Sequence, residues 1–200
     1  MKLLVATNNT GKLREFATLL ASLDVEILSP ASLGLALRVE ETGSTFADNA
    51  VLKAKSYAAA SGLWTLADDS GLEVDALHGE PGTHSARYLG PYASDADRNR
   101  HLLANLKGVP RRKRTARFRC AIAIASPNGE TEVVEETCEG LISLAPAGMH
   151  GFGYDPIFYL PQFRRTMAQL PLNLKNSISH RAKASQLARP IIERLCGANP

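Results

Sequence analysis

The sequence predicts an α/β fold built on a mixed sheet, and three features carry that expectation. Short apolar runs alternate with stretches whose apolar residues recur at helical spacing. Asn128-Gly129 between two strand-like runs signals a hairpin, so part of the sheet is antiparallel. Two hundred residues at 44% hydrophobic content suit one large domain or two intimately packed lobes with a substantial core.

Residues 3–7 form an apolar run suited to a buried strand. Thr7-Asn8-Asn9-Thr10-Gly11-Lys12 follows, then a helix with Leu13, Phe16, Ala17 and Leu20 on one stripe. Residues 25–28 read as the second strand, and 29–38 as a loop holding Pro30 and Gly34. Glu40-Glu41 places two acids on a connection. Thr45 to Asp48 has the form of a capping box and opens a helix to Ser61, stopped by Gly62. Phe46, Ala50, Ala54, Tyr57 and Ala58 make its stripe, with Asn49 and Lys53 on the bordering face. Residues 63–67 are strand-like and end on Asp68-Asp69-Ser70-Gly71, where Gly71 offers a break. A turn at 78–82 leads through Arg87 to a helix over 95–106, capped by Ser94 with Asp97, with Leu102, Leu103 and Leu106 inward. Residues 118–125 read as a strand buried on both faces, 131–138 as its hairpin partner, and 141–144 as its continuation. Three glycines and two aromatics crowd 147–156. A polar cluster over 172–181 leads into a last helix with Ala184, Leu187, Ala188, Ile191, Ile192 and Leu195 on one stripe, a kink expected at Pro190, and Gly197 as its stop.

Several stretches carry chemistry as well as structure. Adjacent acids at the end of a buried strand are costly unless paired, and a divalent cation offsets that cost because carboxylate oxygens suit Mg²⁺; a solvated turn is the plainer reading. The strand, polar loop, lysine and helix of residues 3–20 suit a phosphate, though the loop is no Walker A and an ordinary capped turn has the same pattern. Lys53 either snorkels or reaches inward to an anion. Phe152 among glycines suits a flat ring. The basic run Arg111-Arg112-Lys113-Arg114 reads as a solvated loop, with too little aromatic interleaving for a single-strand binder.

Composition narrows the classes. A net charge of +3 does not argue for nucleic acid and is compatible with a polyanionic small substrate. Cys120, Cys138 and Cys196 are odd in number and widely spaced, which argues against a disulfide framework or zinc site and for a reducing compartment. The apolar start is cut by Asn8-Asn9 too early for a signal peptide, and no run approaches the roughly 20 apolar residues that span a bilayer. The expectation is a cytoplasmic protein with no membrane and no nucleic-acid partner, organised as a single domain over residues 1–200 with no separable linker.

Five segments in register resemble one family. They are Thr7 to Glu15; Glu40 to Phe46 with Asn49 and Lys53; Ala67 to Leu72; Phe152 to Phe158; and Lys175 to Arg181. Together they resemble the inosine triphosphate pyrophosphatase (Ham1-like, dITP/XTP) family over essentially the whole chain. The resemblance implies an elongated mixed sheet flanked by helices, two lobes with a central cleft, and a homodimer. It implies Mg²⁺-dependent hydrolysis of a small-molecule purine nucleoside triphosphate (ITP, dITP or XTP) to monophosphate and pyrophosphate. Asp69 would be the general base and a metal carboxylate, with Glu40 the other metal carboxylate and Glu41 not excluded. Thr7, Asn8, Asn9, Thr10, Gly11, Lys12 and Ser70 would hold the phosphates with Lys53 in support. Phe152, Gly153, Tyr154, Asp155, Lys175, His180 and Arg181 would form the base and sugar pocket. The related Maf-type pyrophosphatases, acting on modified pyrimidine nucleotides, are the alternative.

The implied chemistry is physically coherent. A triphosphate carries about four negative charges, which Mg²⁺, Lys12 and Lys53 would neutralise as charge moves to the leaving pyrophosphate. A 6-keto purine presents an acceptor where adenine presents donor hydrogens, and a site donating from Arg181, His180 or backbone N–H rejects the wrong pattern by about 10⁴ or more. Two departures stand out: Leu172-Asn173-Leu174 replaces acids usual before the lysine, leaving Lys175 without an evident acidic partner, and His84 replaces a common Tyr.

Overall fold

A computed structural model describes residues 1–197 of the chain. Seven strands form one sheet in the order β2-β1-β3-β4-β5-β6-β7. β1 (Lys2–Val5) pairs parallel with β2 (Glu26–Leu28) and with β3 (Trp64–Val74). β4 (Thr115–Ala125) and β5 (Thr131–Ile142) lie next, joined through the Asn128-Gly129 loop. β6 (Phe158–Leu160) runs antiparallel to both β5 and β7 (Arg165–Thr166). Parallel pairing on one side and antiparallel on the other make the sheet mixed, as the hairpin signal requires.

Two compact units share these strands. The first comprises residues 1–69, 120–136 and 181–200, of which those to 197 are described. Side chains of successive strand residues point to opposite faces, so this unit has two cores. Leu3, Val5, Leu66, Cys120, Ile122 and Ile124 face α1 (Thr10–Leu19) and α5 (His180–Gly197), meeting Phe16, Ala184, Ala188 and Ile192. Leu4, Ala6, Ala67, Ala121, Ala123 and Ala125 face α2 (Phe46–Ser61), meeting Phe46, Ala50, Ala54, Tyr57 and Ala58. The row of alanines lets α2 lie close to the sheet. α2 opens with the Thr45–Asp48 capping box and ends on Gly62, as read from the sequence.

The second unit comprises residues 70–119 and 137–180. Its core joins Leu72 and Val74 of β3, Ala116 and Phe118 of β4, and Cys138 and Ile142 of β5 to Leu102 and Leu106 of α3 (Asp95–Asn105) and its C-terminal flank. The opposite sheet face carries ion pairs instead: Arg117 with Asp75 at 2.9 Å and Glu139 at 3.2 Å, and Arg119 with Glu73 at 3.3 Å.

Some expectations are corrected. β3 does not end at the acids but runs on to Val74, so Asp68 and Asp69 sit inside a strand and Gly71 is extended within it. β4 begins at Thr115, and β5 is continuous to Ile142. The polar cluster before the last helix is itself α4 (Leu172–Ile178). Ala17 and Leu187 are exposed, while Glu15 occupies a buried place on α1 for an electrostatic reason given below. The basic run is split: Arg114 is buried and donates to the carbonyls of Leu106, Val109 and Ser143, and Arg111 lies over the Tyr159 ring at 4.5 Å. Cys120 and Cys138 are buried thiols, and burial with the nearby Asp68 charge pushes the Cys120 thiol up to about 12. The side chain of Cys196 lies outside the described residues. Pro190 lies inside α5.

Candidate active site

The alternation of β3 sends its two acids to opposite faces of the sheet. Asp68 shares the side of Leu66, where α1 and α5 pack. There Lys12 Nζ lies 2.9 Å from Asp68 Oδ2, and the Arg181 guanidinium reaches the same oxygen at 3.0 Å. Arg181 also donates to Glu15 Oε2 at 2.6 Å. The three groups Asp68, Glu15 and Arg181 are all buried. Burial alone would raise the Asp68 carboxyl, but the Lys12, Arg181 and Lys53 charges outweigh it and hold Asp68 well below the usual carboxylate range. The same acids hold Arg181 protonated more firmly than usual despite its burial.

Asp69 shares the side of Ala67 and faces α2. Asn49 Nδ2 donates to Asp69 Oδ2 at 3.3 Å, and Lys53 Nζ lies 3.2 Å from Oδ1. These residues stand four apart on α2, one turn of the same face. Lys53 also pairs with Glu41 at 2.9 Å, so two carboxylates converge on one ammonium. Asn49 holds the acidic connection as well, accepting the Gly43 N–H at 2.8 Å. Gly43 is required by this close approach: a Cβ there would meet Asp48 Cβ at 2.5 Å and Asn49 Oδ1 at 2.8 Å. Burial raises the Asp69 carboxyl above its ordinary value, aided by Glu41 and Asp68 and opposed by Lys53 and Lys12. Lys53 moves upward too, because its three acidic neighbours outweigh the burial that would lower it.

The second acid at this locus is therefore Glu41, whereas Glu40 points its side chain to solvent. Alternation along an extended connection presents one acid of the pair inward, and the sequence does not say which. Among the described residues no group of three or more His, Cys, Asp or Glu gathers as a metal site. The donors that do converge, Asp69 and Glu41, are hard carboxylate oxygens, and Mg²⁺ is commonly held by one or two carboxylates plus substrate phosphates. The donor set fits that ion.

The loop of residues 7–9 precedes α1, whose N-cap Asn9 accepts from the Gly11 and Lys12 N–H groups at 2.9 and 3.1 Å. Thr7 Oγ1 accepts the Asn9 N–H at 3.2 Å. Asn8, Asn9 and Thr10 are exposed, and the loop places Lys12 beside Asp68. Ser70 follows Asp69 directly and is half-buried.

In the second unit, Lys175 Nζ lies 2.5 Å from Asp155 Oδ2 and 4.9 Å from the centre of the Phe152 ring. The same Asp155 oxygen accepts the Phe152 N–H at 3.0 Å. Lys175 thus has its acidic partner after all, supplied from 20 residues upstream rather than from the residues before it. Tyr154 departs from its expected place: its ring is buried in the core and its hydroxyl donates to the Ser85 carbonyl at 2.9 Å. His180 is buried and stacks on Phe118 at 4.7 Å. Arg181 departs as well, since its guanidinium is committed to Asp68 and Glu15 in the first unit.

The model of the Ham1 family matches residues 3–191. The chain belongs to the Ham1 family. It is 51% identical over 195 residues to the dITP/XTP pyrophosphatase of Desulforamulus reducens, covering 98% of this chain and 97% of that one. It is 55% identical over 183 residues to the dITP/XTP pyrophosphatase of Geobacillus kaustophilus, covering 92% and 90%. The solved Staphylococcus aureus Ham1 protein superposes with a TM-score of 0.87 at 42% identity, covering 98% of this chain and all of that one. The Coxiella burnetii HAM1 protein gives 0.88 at 39%, covering 97% and 99%. Within this Ham1 chain Glu15 closes the first of the five motif segments but was given no role, since its partner Arg181 lies far along the chain. The sequence reading missed Asp95 and Asn99 of α3, read there only as part of a capped helix.

Proposed function

We propose that this chain hydrolyses dITP, XTP and ITP to the nucleoside monophosphate and pyrophosphate. The observation that carries the reading is the convergence of Asp69, Glu41 and Lys53 on one side of β3, with Lys12 and Asp68 on the other. The activity named for relatives at 51 and 55% identity supports it. Asp69 is the general base: it takes the proton of the attacking water as that oxygen bonds to phosphorus and the α–β anhydride bond breaks. A carboxyl raised by burial is a stronger base than a solvated one. Lys53 and Lys12 neutralise phosphate charge, and both exchange an internal acid for a phosphate oxygen when they do so. Thr7 to Gly11 and Ser70 supply hydroxyl, amide and backbone contacts to phosphate. Asp69 and Glu41 would hold Mg²⁺, which supplies charge neutralisation on the phosphate oxygens. Phe152 is the platform for the base, with the Lys175 ammonium as donor toward its keto oxygen and Asp155 fixing that ammonium. Gly153, Tyr154 and His180 shape the loop and its support. A homodimer and a reducing, cytoplasmic location complete the reading.

The test is kcat/KM over a panel of dITP, XTP, dATP, dGTP, dTTP and UTP. dITP and XTP are expected to lead the purines by at least about 10⁴ over dATP, as hydrogen-bond selection permits. Equal rates with dATP, or a lead by pyrimidines, contradict the reading. On the same panel Glu41→Gln is expected to lose activity with every substrate, whereas Glu40→Gln retains it; the reverse order would return the metal role to Glu40.

A further inference from the structure

α3 grips the loop that presents Phe152. Ser94 and Asp97 form a capping box that fixes the first turn of this helix. Asp95 turns one carboxylate oxygen to Arg98 at 2.7 Å, and the other accepts the Gly153 N–H at 2.7 Å. One turn later Asn99, 4% exposed, donates from Nδ2 to the Gly153 carbonyl at 3.0 Å. Side chains four apart on one helix face thus hold both backbone groups of a single residue. Gly153 lies at φ +62, a conformation that a residue with a side chain rarely adopts, and two hydrogen bonds keep it there. The neighbouring Phe152 N–H is held from the other direction by Asp155. A cavity of about 570 Å³, lined in part by Asn99, Arg100, Leu103, Met149, Phe152 and Gly153, adjoins the clamp, so a released loop has room to shift.

We propose that Asp95 and Asn99 are positioning residues that set where Phe152 stands, and so govern base selectivity rather than turnover. The inference rests on the reading of Phe152 as the base platform. Stacking and hydrogen bonding to a base depend on placement at the ångström scale, because a hydrogen bond weakens steeply once its distance and angle leave a narrow range. Asn99 is the stronger member because its hydrogen bond is shielded from water, whereas nearly half of the Asp95 side chain is exposed.

The experiment measures kcat, KM and thermal melting with dITP, XTP and dATP for the parent protein, Asn99→Asp, Asp95→Ala, Asp95→Asn and Phe152→Ala. Asn99→Asp turns a carboxylate oxygen toward the Gly153 carbonyl; Asp95→Ala deletes the acceptor; Asp95→Asn keeps one. The first two are expected to raise KM for dITP and XTP by about tenfold or more and to shrink the preference over dATP comparably, since a displaced platform weakens binding. Their kcat with dITP stays within about twofold, as for a loss of binding common to ground and transition states. Asp95→Asn, with one oxygen for both Arg98 and the Gly153 N–H, falls between the parent and Asp95→Ala. Folded variants with unchanged selectivity, an equal loss of kcat on every substrate, or Asp95→Asn matching Asp95→Ala would each overturn the inference. If Phe152→Ala alters selectivity while the clamp variants do not, the clamp fails and the platform stands. If Phe152→Ala changes nothing, platform and clamp fall together. Should Asn99→Asp not fold, the two Asp95 variants decide.

Discussion

Asp69→Asn is expected to fold as well as the parent protein and to lose about 10²- to 10⁴-fold in kcat/KM, the usual contribution of a positioned general base. The amide keeps the shape of the carboxylate but only one of its oxygens, so of Asn49 on Oδ2 and Lys53 on Oδ1 one keeps its acceptor, and Lys53 retains Glu41 as counter-charge. The stability consequence has a definite sign. Burial lifts the Asp69 carboxyl in the folded protein above its unfolded value. A group shifted that way stabilises the fold only below the unfolded pKa, and that contribution is lost as pH rises through the folded one. At neutral pH the ionised group is therefore a net cost that the neutral amide removes, so the variant melts at or above the parent, and the gap closes on acidification. Melting curves of both proteins at two pH values check the sign; a fully active variant would contradict the assigned role.

Arg181→Ala is expected to damage the fold severely. It removes the counter-charge that Glu15 and Asp68 share. Breaking a buried ion pair costs about 3–5 kcal/mol, and at about 2–4 °C per kcal/mol for a chain of this size the melting point falls by roughly 6–20 °C. Arg181→Lys does not rescue it, because one ammonium does not span two carboxylates as a planar fork does. Asp68 is depressed in the folded state, so its stabilising contribution is present above the unfolded carboxylate pKa and is lost as pH falls through the folded one. The difference between parent and variant accordingly narrows in acid. A melting point within about 2 °C of the parent at neutral pH would contradict the network described, since one kcal/mol is already worth that much.

The sequence made the fold class, the helix caps and most buried stripes legible because each is a local pattern: Thr45 with Asp48, Ser94 with Asp97, and the unbroken apolar run over 120–125. It placed Asn49 and Lys53 on one face of α2, and the structure turns that face toward Asp69. What it did not carry was the assignment of long-range partners. Asp68 looked like a strand terminus because two acids in a central strand are costly; the compensating charges come from Lys12, 56 residues before it, and Arg181, 113 residues after it. The choice between Glu40 and Glu41, the burial of Glu15, and the pairing of Lys175 with Asp155 rest on the same kind of distant contact. Arg181 shows the limit most clearly, since a motif position suggested a base donor while the fold uses its guanidinium as an internal counter-ion.

The most direct test is to incubate dITP with Mg²⁺ and the parent protein, and in parallel with Asp69→Asn, and to identify every phosphorus-containing product. The account predicts dIMP and pyrophosphate in equal amounts from the parent and almost none from the variant. Orthophosphate with dIDP as the first products, or equal yields from the two proteins, would contradict it.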